Sequence, residues 1–412
     1  MQFRRLSSAP RGAACLVAVL ALAACGDPAA APANDAFWNA MAVADEAAAR
    51  ASARSPDEQR VVAAFAKLVR GGSDAAFDDL VALGETADGT PRFWALQSLL
   101  EVLRLEGRWD RLATLRADHP RLGLGAKAIP DVLTRLKPLT IDVAEVPAVL
   151  PFVEDLEHWA AVTVQLAGDA AKAEVTAIVD TGAGMCVVDG VHAERLGVRV
   201  VEGDLLLQGI AGGRTAGRVG VLRELRLGGV TARDVPVAIV DGAELRDLSG
   251  VSCLVGWEIL QHVALEFVGT ARQLVVRRSA GAAPPAPNLL LLREPFLRLR
   301  SGQEWLLVLL DSGAASTEFR LSCAERMGWP TKEGGTAVTG LGGGASGEVR
   351  TITSCPIQCG NVRLDLGGAL AVERLATRER LLRVDGTLGM DVGFAVRVVI
   401  DGPARTVAFR TD

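Results

Sequence analysis

Short apolar runs broken by glycine pairs dominate the chain from about residue 150 onward. Val162 to Leu166 and Glu174 to Val179 flank a Gly-Asp turn signal. Leu222 to Leu227 alternates apolar and charged positions and stops at Gly228-Gly229, and Val235 to Val240 follows. Runs of this length with glycine-rich turns predict a β-barrel or sandwich, not a βαβ sheet. Short helices are expected at Gly190 to Leu196 and Leu321 to Met327. Upstream the period changes. Val61, Val62, Phe65, Leu68 and Val69 within Glu58 to Arg70 lie at helical spacing. So do Trp94, Leu96, Leu99, Leu100 and Leu103 within Phe93 to Leu105; Gly107 interrupts, and Trp109 to Leu115 resumes. This region reads as a small antiparallel helical array, serving either as a packing domain or as a docking surface.

The β-rich part is written twice. Ala177-Ile178-Val179-Asp180-Thr181-Gly182-Ala183 recurs 131 positions later as Val308-Leu309-Leu310-Asp311-Ser312-Gly313-Ala314. Gly209-Ile210-Ala211-Gly212-Gly213 pairs with Gly340-Leu341-Gly342-Gly343-Gly344 at the same offset of 131. Leu254-Val255-Gly256-Trp257-Glu258 pairs with Thr387-Leu388-Gly389-Met390-Asp391, and Phe267 to Arg272 with Ile400 to Arg405, both at 133. A lone Asp-Thr-Gly is ordinarily a turn in which Asp bonds its own backbone. Two copies inside an ordered repeat indicate a duplication that brings two carboxylates together.

These residues resemble the retropepsin-like aspartic proteases over roughly residues 150–412. The resemblance rests on Val179 to Ala183, the flap-like 209–213 and Leu254-Val255-Gly256 in the first copy. In the second it rests on Leu310 to Ala314, 340–344 and Leu388-Gly389. It implies a mainly β fold of two tandem barrel lobes, each giving one Asp, preceded by a small α-helical domain. Asp180 and Asp311 would share one proton and activate water for peptide hydrolysis, with no covalent intermediate, metal or cofactor. Thr181 and Ser312 would bond across the lobes, Gly182 and Gly313 would allow close backbone approach, and Ala183 and Ala314 would keep the interface small. Gly209, Ile210, Gly212, Gly213, Gly340, Leu341, Gly342 and Gly343 would belong to hairpins closing over an extended peptide. Two departures stand out: Trp257-Glu258 faces Met390-Asp391 in the other copy, and with 0 Tyr the chain has no flap tyrosine.

The expected domains are a signal peptide over 1–24, a tether over 25–34, a helical domain over 35–140, lobes over 150–278 and 288–412, and an Ala/Pro-rich linker over 279–287. Arg4 and Arg5 precede an apolar run ending in Leu22-Ala23-Ala24-Cys25, too short to be a comfortable membrane span. It resembles a bacterial lipobox, which implies lipid on Cys25, export and a membrane-anchored, periplasm-facing protein. The remaining cysteines, 186, 253, 323, 355 and 359, are odd in number, and Cys355 could bridge Cys359 if the turn permits. None recurs in the other copy, which would place them outside the duplicated core. His119, His158, His192 and His262 lack metal spacing. Gly340 to Ala345 fits a loose dinucleotide fingerprint but opens no helix pattern. A net charge of −5 without a basic stretch in the mature chain argues against nucleic-acid binding.

The expectation is therefore an exported, lipid-anchored aspartic endopeptidase acting on peptide or protein, most simply a monomer. The competing readings are a non-catalytic peptide-binding lipoprotein and a dimer pairing equivalent lobes between chains.

Overall fold

The computed structural model describes residues 34–70, 73–124, 136–208, 214–240, 250–281, 288–291, 294–334, 339–340, 343–344, 348–373 and 382–410, with isolated short pieces at 14–15, 19–20 and 245. The fold is mainly β: two barrel-like sheets follow an N-terminal helical region.

Among the described residues that region contains six α-helices: α1 (Asp35–Ala42), α2 (Glu46–Ser52), α3 (Pro56–Arg70), α4 (Ser73–Thr86), α5 (Gly89–Leu105) and α6 (Asp110–Asp118). Local chemistry starts them. Asn34 and Asp45 accept from the amides of Phe37 (3.3 Å) and Ala48 (3.0 Å). Ser55 and Glu58 make a capping box: Glu58 N donates to Ser55 Oγ and Ser55 N to Glu58 Oε2, both at 3.1 Å. Pro56 then sits in the first turn, where its missing N–H costs nothing. Val61, Val62, Phe65 and Leu68 of α3 are buried.

In the first lobe we number the strands β1 (Thr140–Val143), β2 (Ala148–Pro151), β3 (Ala161–Ala167), β4 (Lys172–Val179), β5 (Cys186–Asp189), β6 (Arg199–Gln208), β7 (Arg214–Leu227), β8 (Val230–Val240), β9 (Cys253–Val255), β10 (Ala264–Val268) and β11 (Gln273–Arg277). The order β7-β3-β4-β9-β5-β8 closes because β8 also pairs with β7, giving a six-stranded barrel. Helix α7 (Gly190–Leu196) follows β5 and is capped by Asp189, whose side chain accepts from His192 N.

The second lobe holds β12 (Leu289–Leu291), β13 (Pro295–Ser301), β14 (Glu304–Leu310), β15 (Glu318–Arg320), β16 (Thr331–Glu333), β17 (Thr339–Gly340), β18 (Gly343–Gly344), β19 (Val349–Ile352), β20 (Pro356–Cys359), β21 (Val362–Asp365), β22 (Leu370–Val372), β23 (Gly386–Leu388), β24 (Arg397–Asp401) and β25 (Thr406–Arg410). Its main sheet runs β16-β19-β22-β15-β23-β14-β13-β20-β21 and stays open, a half-barrel. The two-fold relation extends beyond the motifs. Gly197 ends α7 at φ +70°, and Gly328 ends the matching helix α9 (Leu321–Met327) at φ +65°. The short helices α8 (Trp257–Leu260) and α10 (Met390–Ala395) match in the same way.

The lobes are joined beneath the Asp loops by a five-stranded sheet, β25-β24-β10-β11-β2. At its centre the two copies of one strand pair antiparallel, Leu265 opposite Ile400 and Phe267 opposite Val398. Cys186, Cys253, Cys323, Cys355 and Cys359 are all buried and free. Cys355 and Cys359 lie at either end of an extended run through β20, which spans about 13 Å, whereas a disulfide needs Cα atoms within about 7 Å. The Cys355–Cys359 bridge is therefore excluded. No helix among the described residues is long and apolar enough to cross a membrane.

Candidate active site

Each Asp is presented by the same strand arrangement. In the first lobe β4 runs into Asp180 and β9 lies parallel to it, pairing Leu254 with Ile178 and Val255 with Val179. In the second, β14 runs into Asp311 and β23 lies parallel, pairing Thr387 with Leu309 and Leu388 with Leu310. The turn out of each strand is fixed at its first amide: Asp180 N donates to Val255 O and Asp311 N to Leu388 O, both at 3.0 Å.

The carboxyls are then oriented by their own loops. Asp180 Oδ1 accepts from Gly182 N (3.0 Å) and Ala183 N (2.9 Å). Asp311 Oδ1 accepts from Gly313 N (2.9 Å) and Ala314 N (3.1 Å). In both carboxyls one oxygen is thus tied to backbone. Asp180 Oδ2 is buried without a backbone donor, and the Asp180 carboxyl meets the Asp311 carboxyl in a side-chain hydrogen bond.

The loops are locked together by reciprocal hydroxyls. Ser312 N donates to Thr181 Oγ1 (2.9 Å), and that hydroxyl donates to Leu310 O (2.8 Å). Thr181 N donates to Ser312 Oγ (3.0 Å), which donates to Val179 O (2.5 Å). Each hydroxyl uses its donor and an acceptor lone pair across the lobe boundary, which neither Val nor Ala could do. All four partners are buried, so the bonds do not compete with water.

This lock sets the carboxyls face to face. A Cβ added to Gly182 would lie 2.5 Å from Asp311 Cγ, and one added to Gly313 would lie 2.4 Å from Asp180 Cγ. Each glycine is therefore required by the opposite lobe's acid. Burial, and next the negative charge of Asp311, push the Asp180 carboxyl well above the usual carboxylate range. Two acids so placed resist holding two negative charges, and the pair titrates as a unit.

Ala183 and Ala314 have a backbone duty besides their small size: their carbonyls accept from Trp257 N (2.6 Å) and Met390 N (2.7 Å). Behind the loops sits a support layer in which Glu258 and Asp391, a departure between the copies in sequence, do the same work. Thr317 N and Oγ1 donate to the Asp391 carboxylate (3.0 and 2.7 Å), and Gly389 N donates to Thr317 Oγ1 (3.1 Å). In the first lobe Cys186 N donates to Glu258 Oε1 (2.5 Å), and Gly256 N donates to Cys186 Sγ (3.3 Å). Glu258 and Asp391 are functional equivalents, and so are Cys186 and Thr317. Cys186 accordingly belongs to the duplicated core, against the expectation drawn from unmatched cysteines; a thiol has replaced a hydroxyl as the acceptor. The aligned positions carried this signal.

Glu318, whose counterpart is Val187, was also missed. It is buried, and burial followed by the charges of Asp311 and Asp391 raises its carboxyl to about 8.

Of the hairpin residues, Gly340 and Gly343 pair antiparallel across β17 and β18. Gln208 and Arg214 pair across β6 and β7, so the 209–213 segment joins two antiparallel strands. Gly209, Ile210, Gly212, Gly213, Leu341 and Gly342 themselves lie outside the described residues, as does Cys25. Among the described residues no group of three or more His, Cys, Asp or Glu could hold a metal ion.

Residues 162–259 match the model of a family described as aspartyl protease. The match takes in most of the first lobe, including Asp180 and the Leu254-Val255-Gly256 strand. No curated protein matches the chain.

Proposed function

We propose that the chain is an aspartic peptidase in which Asp180 and Asp311 form one dyad within a single polypeptide. The observation that carries this reading is the reciprocal Thr181–Ser312 lock, with each loop glycine against the opposite carboxyl. The pair holds one proton. Its ionised member takes a proton from water as the water oxygen attacks the scissile carbonyl carbon, while the protonated member donates to the carbonyl oxygen. Collapse of the resulting diol breaks the C–N bond, and the amine leaves with a proton returned through the dyad. Hairpins at 209–213 and 340–344 close over an extended peptide held by backbone hydrogen bonds. The protein acts as a monomer, exported and held at a membrane by lipid on Cys25, facing the periplasm.

The test is turnover of an unbiased peptide library from about pH 3 to about pH 8. Asp180→Asn and Asp311→Asn should each abolish cleavage while leaving the unfolding midpoint near that of the wild type. Cleavage by either variant, or complementation on mixing the two, would remove the single-chain dyad. Incorporation of a labelled fatty acid into a Cys25→Ser chain at the wild-type level would argue against the anchor.

A further inference from the structure

The duplication supplies an internal control for the sheet face on which each lobe carries its Asp. In the second lobe Glu318 on β15 lies directly opposite Thr387 on β23, and Thr387 pairs with Leu309 on β14. Directly paired residues project to one face of a sheet, and so do residues two apart along a strand. Leu309, Thr387 and Glu318 therefore share a face, and Asp311, one step past the end of β14, continues the row of Leu309. Leu310, Leu388 and Phe319 alternate with them and point into the core of the lobe. The first lobe repeats this cross-strand pair with Val187 on β5 opposite Leu254 on β9. Both are fully buried, in an apolar cluster with Ile178 and Ala183. The copies thus agree in geometry and differ in chemistry: Val and Leu stand on one side of the dyad, Glu and Thr on the other.

The polar pair lacks partners. Among the described residues Thr387 Oγ1 is buried without a hydrogen-bond partner, and no hydrogen bond reaches the Glu318 carboxyl. Glu318 is 5 % exposed, and the charged groups acting on it are Asp311 and Asp391, both negative; among the described residues no cation acts on it. A carboxyl buried with neither donor nor counter-ion is destabilising. The other copy meets the same position with Val187, so the fold does not require an acid there. A local cost of this kind beside the reacting groups indicates a function. We propose that Glu318 and Thr387 form a subsite for a basic side chain. The substrate is then a peptide with Lys or Arg on the side of the scissile bond that lies over the second lobe and an apolar residue over the first. This rests on the peptidase reading and names its substrate class. The surrounding negative charge selects a cation over a neutral donor, and the Thr387 hydroxyl supplies a second acceptor for its N–H groups. Two strand spacings, about 10 Å, separate β15 from β14, which puts the basic residue within roughly three positions of the scissile bond.

The experiment uses the full chain and one cleavable peptide in which a single Lys, or norleucine as its uncharged counterpart, is walked through about three positions on each side of the bond. At one position on one side Lys should raise kcat/KM over norleucine by about tenfold or more, and at the mirrored position it should lower it. Glu318→Gln, which keeps the shape and removes the acid, should bring the Lys-to-norleucine ratio close to unity, and Thr387→Val should reduce it in part. A purely structural role would slow all peptides alike and leave the ratio where it was. Absence of any position that favours Lys, or a ratio unmoved by Glu318→Gln, overturns the subsite while leaving the dyad intact. If no peptide is turned over, the peptidase reading fails separately. The subsite is then judged by binding of the same labelled peptides to the Asp180→Asn protein: tighter binding of one Lys peptide, lost when Glu318→Gln is added, supports it, and equal affinity within every Lys–norleucine pair refutes it.

Discussion

Replacing Glu318 with Gln should make the protein more stable at neutral pH but not in acid. Glu318 sits on β15 with Phe319 turned into the core, where Phe319 stacks on Trp329 at 4.8 Å. Alternation puts Glu318 on the opposite face, yet it is only 5 % exposed and feels Asp311 and Asp391 as further negative charge. Its folded-state value of about 8 exceeds the ordinary 4.5. In the unfolded chain the carboxyl ionises as pH rises through 4.5, while in the fold it keeps its proton until about 8. The unfolded state therefore gains over this window, and stability falls with rising pH, each pH unit costing about 1.4 kcal/mol. By about pH 7 the loss is about 3 kcal/mol, a large fraction of the stability of an ordinary domain. Gln has the same shape without the proton equilibrium. Any fixed cost of seating its amide is independent of pH, so the informative quantity is the change in the gap between variant and wild type. Urea unfolding followed by tryptophan fluorescence reads this in the second lobe, where Trp329 is buried beside the strand. Between about pH 4.5 and about pH 7 the gap should move by about 3 kcal/mol in favour of Gln. A gap that stays constant across this window would show that Glu318 ionises in the fold as it does in water, and the argument from burial would be wrong.

Three further substitutions test other links. Ser312→Ala removes the acceptor of Thr181 N and the donor to Val179 O, leaving buried groups unsatisfied at the lobe boundary; it should cost about 2–4 kcal/mol in urea unfolding and lower kcat more than it raises KM. Gly313→Ala should abolish turnover even if the chain folds, since its Cβ would lie 2.4 Å from Asp180 Cγ; retained activity would show that the loops can separate. Ser55→Ala breaks the capping box of α3 and should cost about 1 kcal/mol of thermal stability.

What could be read from the chain and what could not divides along the symmetry of the fold. A contact made across the pseudo-two-fold axis has to be made twice, so it leaves its residues twice. Asp180 and Asp311, Thr181 and Ser312, and the two loop glycines were legible because each is half of a reciprocal interaction. The support layer was half-legible. Glu258 and Asp391 looked like a departure because their side chains differ in length, and Cys186 looked unique because its mate is Thr317; in each case the same duty is met by a different group. Features without a mate left no such trace. Helices α1 and α2 went unrecognised because they are short, 8 and 7 residues, and α4 went unrecognised although its apolar face is no weaker than that of α5. The contact of the Trp109 turn with Met185 joins elements far apart in sequence, and neither residue's neighbourhood signals it. Glu318 gave no sign because a lone Glu in a strand is ordinarily solvent-facing. The same division has a functional side. Bond cleavage by paired carboxylates needs near-symmetry at the dyad, so chemistry is encoded where the copies agree. Direction along a peptide needs asymmetry, since a peptide has two unlike ends, and that has to come from where the copies differ or from what has been added beside them. Here the added element is the helical array, which packs on Gly184 and Met185 of the first lobe while their mates Ala315 and Ser316 stay half-buried.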